Sequence, residues 1–113
     1  MIILWPVDYY SDLKLLRSLN YNGTIYIDNG AAKALSIGKS LLAAGITKIN
    51  GNFKKGENVI ILDQNNNQLA RGLSSFSSSE IDKIKGKQSK EIEIILGYLS
   101  KTEVIHKDDM VLL

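Results

Sequence analysis

Cysteine is absent from this 113-residue chain, and proline, tryptophan and histidine occur once each. With no thiol there is no disulfide, no thiolate metal site and no cysteine nucleophile, and a single imidazole cannot build a histidine metal cage. A chain without disulfides suits a reducing compartment, and a cytoplasmic location is expected. Long apolar runs are lacking as well. The longest, at residues 1–5, falls far short of the roughly 20 residues that span a bilayer, and no basic segment follows Met1, so neither a membrane span nor an export signal is expected. Internal repeats and Pro-rich linkers are also missing. A composition of 44% hydrophobic and 23% charged residues therefore describes one globular domain, long enough to bury roughly two-thirds of the surface its unfolded chain exposes.

Net charge is only +2, which by itself says little about partners. Its distribution says more. Between Asp28 and Glu57 there is no acidic residue, yet Lys33, Lys39, Lys48, Lys54 and Lys55 all fall there. This basic island suits phosphate contacts, although lysines also serve as ordinary solvated surface. A second group, Lys83, Lys85, Lys87 and Lys90, is diluted by Asp82, Glu91 and Glu93 and reads as a solvated helical face.

Along the chain, residues 2–5 before Pro6 read as a short strand or packed arm, and the leucine spacing after Ser11 predicts an amphipathic helix ending near Asn20. Residues 24–28 alternate Ile25 and Ile27 against Thr24 and Tyr26, the pattern of a half-buried strand. A helix follows, capped by Asp28 or Asn29, with Ala31, Ala32, Ala34, Leu35 and Ile37 as its apolar stripe and Gly38 as its C-terminal stop. Residues 41–44 read as a compact apolar loop closed by Gly45, and residues 46–53 as a strand with Ile46 and Ile49 on opposite faces. Residues 59–62 and 68–73 flank an Asn-rich tip and predict a β-hairpin. Ser77 with Glu80 forms the S-x-x-E capping box of a helix, and Ser89 begins another whose Ile92, Ile95 and Leu96 share a face before Gly97 ends it. The tail is a broken strand, Val104–Ile105 then 110–113, interrupted by His106–Asp109, and it is expected to close the sheet. A mixed sheet with short helices results, preceded by an N-terminal extension over residues 1–22.

Reactive constellations are scarce. Gly38-Lys39-Ser40 resembles the end of a phosphate-binding loop, but Lys33 stands where that motif needs its first glycine, and the glycine follows a helix instead of leading into one. His106 with Asp108 and Asp109 suggests a relay or a metal site, yet neighbours on a strand point to opposite faces, so a surface turn with a structural histidine is the preferred reading. Glu91 and Glu93 occupy different helical faces, and no serine lies in a G-x-S-x-G elbow. The chain is expected to be non-catalytic and to need no cofactor.

Several segments together resemble a known family: Gly-Thr-Ile-Tyr-Ile-Asp-Asn-Gly-Ala (23–31), Gly-Lys-Ser-Leu-Leu-Ala-Ala-Gly-Ile (38–46), Gly-Asn-Phe-Lys-Lys-Gly-Glu (51–57), Leu-Ala-Arg-Gly-Leu (69–73), Phe-Ser-Ser-Ser-Glu-Ile (76–81), Ile-Leu-Gly-Tyr (95–98) and Val-Ile-His-Lys-Asp-Asp-Met-Val (104–111). In order and spacing they resemble a PUA domain over residues 23–113, of the form found at the C-terminus of glutamate 5-kinase. The resemblance implies a mainly β fold with short α segments, a pseudo-barrel of mixed sheet with helices at its rim. It does not imply kinase activity, which in that family belongs to a separate amino-acid-kinase domain whose glycine-rich segments residues 1–22 do not resemble.

It also implies two functions of different class. In the first, RNA lies against residues 29–37, 38–46 and 104–113. Lys33 and Lys39 would contact phosphates, Ser40 and the backbone near Gly38 and Gly45 a sugar or phosphate edge, and Arg71 would add a planar contact. In the second, the domain is a regulatory or oligomerisation module of proline biosynthesis, touching a kinase domain or a second copy, with the apolar arm of Ile2, Ile3, Leu4, Trp5, Tyr9 and Tyr10 as a candidate interface. No DNA specificity and no membrane partner are expected. Whether the chain is a stand-alone protein or part of a kinase turns on what is encoded upstream of Met1.

Overall fold

In a computed structural model of the protein, residues 21–98 and 101–113 are described; the expected arm and helix at 1–20 lie outside them. The alternation read from the sequence sets the first strand, β1 (Gly23–Ile27), whose Ile25 and Ile27 are fully buried while Thr24 and Tyr26 turn outward. After it come α1 (Asn29–Ser36), a two-residue β2 (Leu41–Leu42), a 3-10 turn (Ala43–Gly45) and β3 (Ile46–Gly51). The hairpin is present as β4 (Asn58–Leu62) and β5 (Gln68–Leu73), followed by helices α2 (Ser78–Ile84) and α3 (Ser89–Leu96). The tail gives β6 (Glu103–Ile105), a 3-10 turn (Lys107–Asp109) and β7 (Met110–Leu112).

The strands form a five-stranded sheet in the order β3-β1-β4-β5-β7 and a two-stranded sheet of β2 with β6. Only β1 with β4 is parallel; the other pairs are antiparallel. One face of the large sheet, with Ile25, Ile27, Val59, Ile61 and Ala70, meets Leu35 of α1, Ile81 and Ile84 of α2, Ile92 of α3, and Leu41, Val104 and Ile105 of the small sheet in a single core. The helices and the small sheet thus close the open side of the large one, which is the expected pseudo-barrel. β4 runs through its centre, and Ile60, also buried, faces away from that core beside its register partner Arg71. No helix among the described residues is long and apolar enough to cross a membrane.

Local chemistry explains the boundaries. Asp28, not Asn29, caps α1, its Oδ1 accepting the Ala31 N–H at 2.8 Å. The helix ends in a Schellman motif: Gly38, at φ +84°, donates its N–H to the Leu35 carbonyl and Lys39 donates to the Ala34 carbonyl, both at 3.0 Å, a geometry that glycine adopts without a Cβ penalty. Ile37 therefore falls on the cap and is 71% exposed, not part of the apolar stripe. The Ser77 capping box of α2 is formed, with Ser77 Oγ accepting from Glu80 N–H and Glu80 Oε1 accepting from Ser77 N–H at 2.8 Å. For α3 the cap is Gln88 and Ser89 is the first helical residue, because Glu91 Oε1 reaches back to the Gln88 N–H at 2.9 Å.

Two further expectations are corrected. Residues 41–42 are a strand rather than loop, since β6, from the far end of the chain, supplies their ladder. In β3 the register steps past Thr47, from Tyr26↔Lys48 to Ile27↔Ile46. That bulge puts Ile46 and Ile49 on the same, core-facing side, where strict alternation would separate them. At the bulge the Thr47 hydroxyl donates to the Tyr26 carbonyl at 3.2 Å.

At the hairpin tip, Asp63 Oδ1 accepts from the Asn65 and Asn67 N–H groups at 2.8 and 2.9 Å, and Asn66 takes the left-handed conformation at φ 64°. The Asn67 N–H is the largest influence holding the Asp63 carboxyl below its ordinary range; desolvation opposes it, and the Asn67 side chain and Asn65 N–H add to it. A depressed carboxyl stabilises its surroundings above its unfolded pKa and loses that contribution as pH falls through the folded one. Acidification from about pH 5 towards pH 2 is therefore expected to loosen this tip. The Asn65 and Asn67 amide resonances should titrate together in the wild type and stay still in Asp63→Asn.

Candidate binding groove

Three stretches distant in sequence meet on one side of α1. Its N-terminal turn contributes Asp28, Gly30 and Ala31. The segment leaving its C-terminus runs back alongside, because Asp28 N–H donates to the Gly45 carbonyl at 2.9 Å, and because Gly45 lies so close to the helix that a Cβ there would stand 2.4 Å from the Ala31 Cβ. No larger residue fits that approach without moving α1. The third stretch arrives through the β2–β6 pair, Leu41↔Ile105, which delivers His106 and Lys107 to the same place.

The junction is then tied. Ser40 Oγ accepts the Lys107 N–H at 2.8 Å, and His106 caps the turn after β6, its Nδ1 accepting the Asp108 N–H at 3.1 Å. Between these elements lies an open groove of about 690 Å³. Its floor is apolar, built from Ala31, Ala34, Leu42 and Ala44, and its charged lining is Lys39 and Lys107 against Asp28 and Glu103.

Of the residues expected at a binding surface, Gly38, Lys39, Ser40 and Gly45 line this groove. Lys33 is exposed on α1 and does not line it. Arg71 is not there either: it lies on β5, with its guanidinium 5.2 Å from the Tyr21 ring, so its planar contact is intramolecular. Ser40 has its oxygen engaged by Lys107, which makes it a clamp between loop and tail. The basic island is contiguous only in sequence. Lys48 sits on β3 with its ammonium 4.9 Å from the Tyr26 ring, on the outward face of the large sheet, and Lys54 belongs to a turn closed by its N–H donating to Glu57 Oε1 at 2.7 Å. Lys107 falls within the expected 104–113 segment without being named as a contact, while Glu103 and Asp28 lie just outside the expected segments. The signal for Lys107 is the polar His-Lys-Asp-Asp interruption of an otherwise apolar tail.

Comparison with known proteins agrees with this architecture. The PUA-domain sequence pattern matches residues 23–96, more than half of the chain. The chain belongs to the PUA domain family. Among curated proteins, this PUA domain is 61% identical over 97 residues to the glutamate 5-kinase of Pelagibacter ubique, covering 86% of the chain and 26% of that enzyme. It is 49% identical over 94 residues to the glutamate 5-kinase of Bartonella henselae, covering 83% and 25% respectively. It thus spans about a quarter of the length of the curated relatives it matches. Among solved structures it resembles a PUA domain from Aeropyrum pernix K1, with TM-score 0.57 and 22% identity over 83% of this chain and 48% of that one. It also resembles a chain of the archaeal box H/ACA sRNP Nop10-Cbf5 complex, with TM-score 0.53 and 26% identity over 74% of this chain and 24% of that one.

Proposed function

We propose that this PUA domain binds RNA through the groove between α1, the 38–45 segment and the turn after β6. The observation that carries the reading is the Ser40–Lys107 clamp, which brings Lys39 and Lys107 from distant parts of the chain to one groove and leaves both side chains exposed for phosphates. Membership of one structural neighbour in an RNA–protein particle supports it. With Asp28 and Glu103 in the same lining, the groove is balanced in charge, and binding is modest.

Electrostatic contact with RNA has a thermodynamic signature, because phosphates neutralised by lysine release counterions. If Lys39 and Lys107 engage two phosphates, log affinity is expected to fall with log salt at a slope of about −1 to −2. Fluorescence anisotropy of a labelled single-stranded RNA between low and physiological salt checks this, and a flat response removes the RNA reading.

The second reading is a regulatory or assembly module for a glutamate 5-kinase catalytic domain. Identity of 61% to such an enzyme across 86% of this chain favours it, and so does the apolar floor of the groove, which suits a polypeptide segment as well as a nucleotide. Absence of RNA binding even at low salt would leave this reading standing alone.

A further inference from the structure

His106 is the chain's one histidine, and the structure commits one of its nitrogens. Nδ1 accepts the Asp108 N–H at 3.1 Å; the Asp108 carboxylate oxygen, 3.6 Å from the same nitrogen, is beyond hydrogen-bond range. A ring nitrogen that accepts from an amide keeps its lone pair, so in the neutral imidazole the hydrogen-bond network assigns the proton to Nε2. The ring lines the groove beside Lys107, with 41% of its side chain exposed. What His106 offers a ligand there is therefore an N–H donor of fixed tautomer, anchored by the turn it caps. The lysines are flexible point charges and carry no such direction.

Resting on the RNA reading of the groove, we propose that His106 divides its two nitrogens between two tasks. Nδ1 positions the turn that carries Lys107, and Nε2–H donates to an oxygen of the RNA sugar-phosphate backbone. The two oxygen sources, a phosphate and a 2′-hydroxyl, share this acceptor chemistry and differ in consequence, since only the second distinguishes RNA from DNA.

Two substitutions separate the tasks. Asn at this position keeps an acceptor for the N–H two residues on, as in an Asx turn, but cannot reach the place of Nε2. Gln places an amide donor near that site and gives up the Nδ1 acceptor. In the full 113-residue chain, His106→Asn is expected to melt within about 2 °C of wild type and to bind a labelled mixed-sequence single-stranded RNA about tenfold more weakly, the loss of one hydrogen bond to a charged or strongly polar acceptor. His106→Gln should melt lower and recover part of the affinity. The same series on DNA of matching sequence assigns the oxygen: equal losses on RNA and DNA mean phosphate, and a loss confined to RNA means the 2′-hydroxyl. In ¹⁵N spectra of the wild type, Nε2 should carry the proton and move on addition of RNA. His106→Asn binding as tightly as wild type overturns the proposal while leaving the RNA reading intact. So does equal loss of affinity and melting temperature in both variants, which would reduce His106 to a turn residue. A wild type that binds no RNA overturns both.

Discussion

Lys39→Glu combined with Lys107→Glu is expected to weaken RNA binding about 100-fold at ~0.1 M salt. Removing a lysine from one phosphate costs about fivefold at that salt through counterion release alone, so removing two costs about 25-fold. Repulsion supplies the rest, because the substitution turns a lining of Lys39 and Lys107 against Asp28 and Glu103 into one with four carboxylates and no lysine. Folding should scarcely notice. Both side chains are exposed, and the hydrogen bonds these residues make, Lys39 N–H to the Ala34 carbonyl and Lys107 N–H to Ser40 Oγ, are main-chain donations that survive the change. The melting temperature should stay within about 2 °C, and the salt slope should flatten by about 1 to 2. Lys33→Glu is the control: it makes the same charge change as either substitution of the pair, on the exposed face of α1 outside the groove, and should cost about twofold by screened interaction alone. A double variant binding within about threefold of wild type would place the RNA elsewhere on the domain; an equal loss in the Lys33 control would mean that the domain attracts RNA by overall charge and not by the groove.

How far the groove is legible in sequence follows from where its information lies. Local signals read well: the Asp28 cap, the Gly38 stop, the Ser77–Glu80 box and the Asn-rich hairpin are each written within a few residues and each is formed. Signals that depend on a partner far along the chain do not. Leu41–Leu42 is too short to show a period, and becomes a strand only because Glu103–Ile105 lies beside it. The Thr47 bulge carries no mark in the Ile-Thr-Lys-Ile alternation, yet it decides which face Ile49 occupies. The same applies to charge. Counting lysines between Asp28 and Glu57 finds Lys39 but spreads the surface to Lys48 and Lys54, which the sheet and a turn carry elsewhere, and it passes over Lys107, which the Ser40 clamp brings in from the tail. Arg71 lies apart from the groove for a related reason: its strand partner is Ile60 on the face turned away from the core, a fact of register that the Leu-Ala-Arg-Gly-Leu segment does not contain.

Phe53→Ala is expected to destabilise the domain by about 4 kcal/mol, well within the range for losing a buried aromatic ring. Phe53 is 1% exposed and belongs to the core. Its ring lies against Gly23 so closely that a Cβ there would stand 2.2 Å from the Phe53 Cδ2. That approach decides the magnitude. A cavity is costly when its walls cannot collapse into it, and on the Gly23 side the wall is bare backbone held in the sheet by pairing with both Gly51 and Val59. The main-chain hydrogen bonds of residue 53 are indifferent to the substitution: its N–H donates to Ser78 Oγ at 3.1 Å and its carbonyl accepts the Ser78 N–H at 2.9 Å, and both persist with alanine. The loss is thus one of packing, and should appear as a fall in melting temperature of about 15–25 °C, with Phe53→Leu losing about a third as much because it refills most of the volume. Circular dichroism melts of the two variants measure it. Since Phe53 lies outside the groove lining, RNA affinity of folded Phe53→Ala at low temperature should match wild type. A fall below about 5 °C would mean that the Gly23 backbone moves in to fill the space, and that the β1–β3 edge is softer than its register implies.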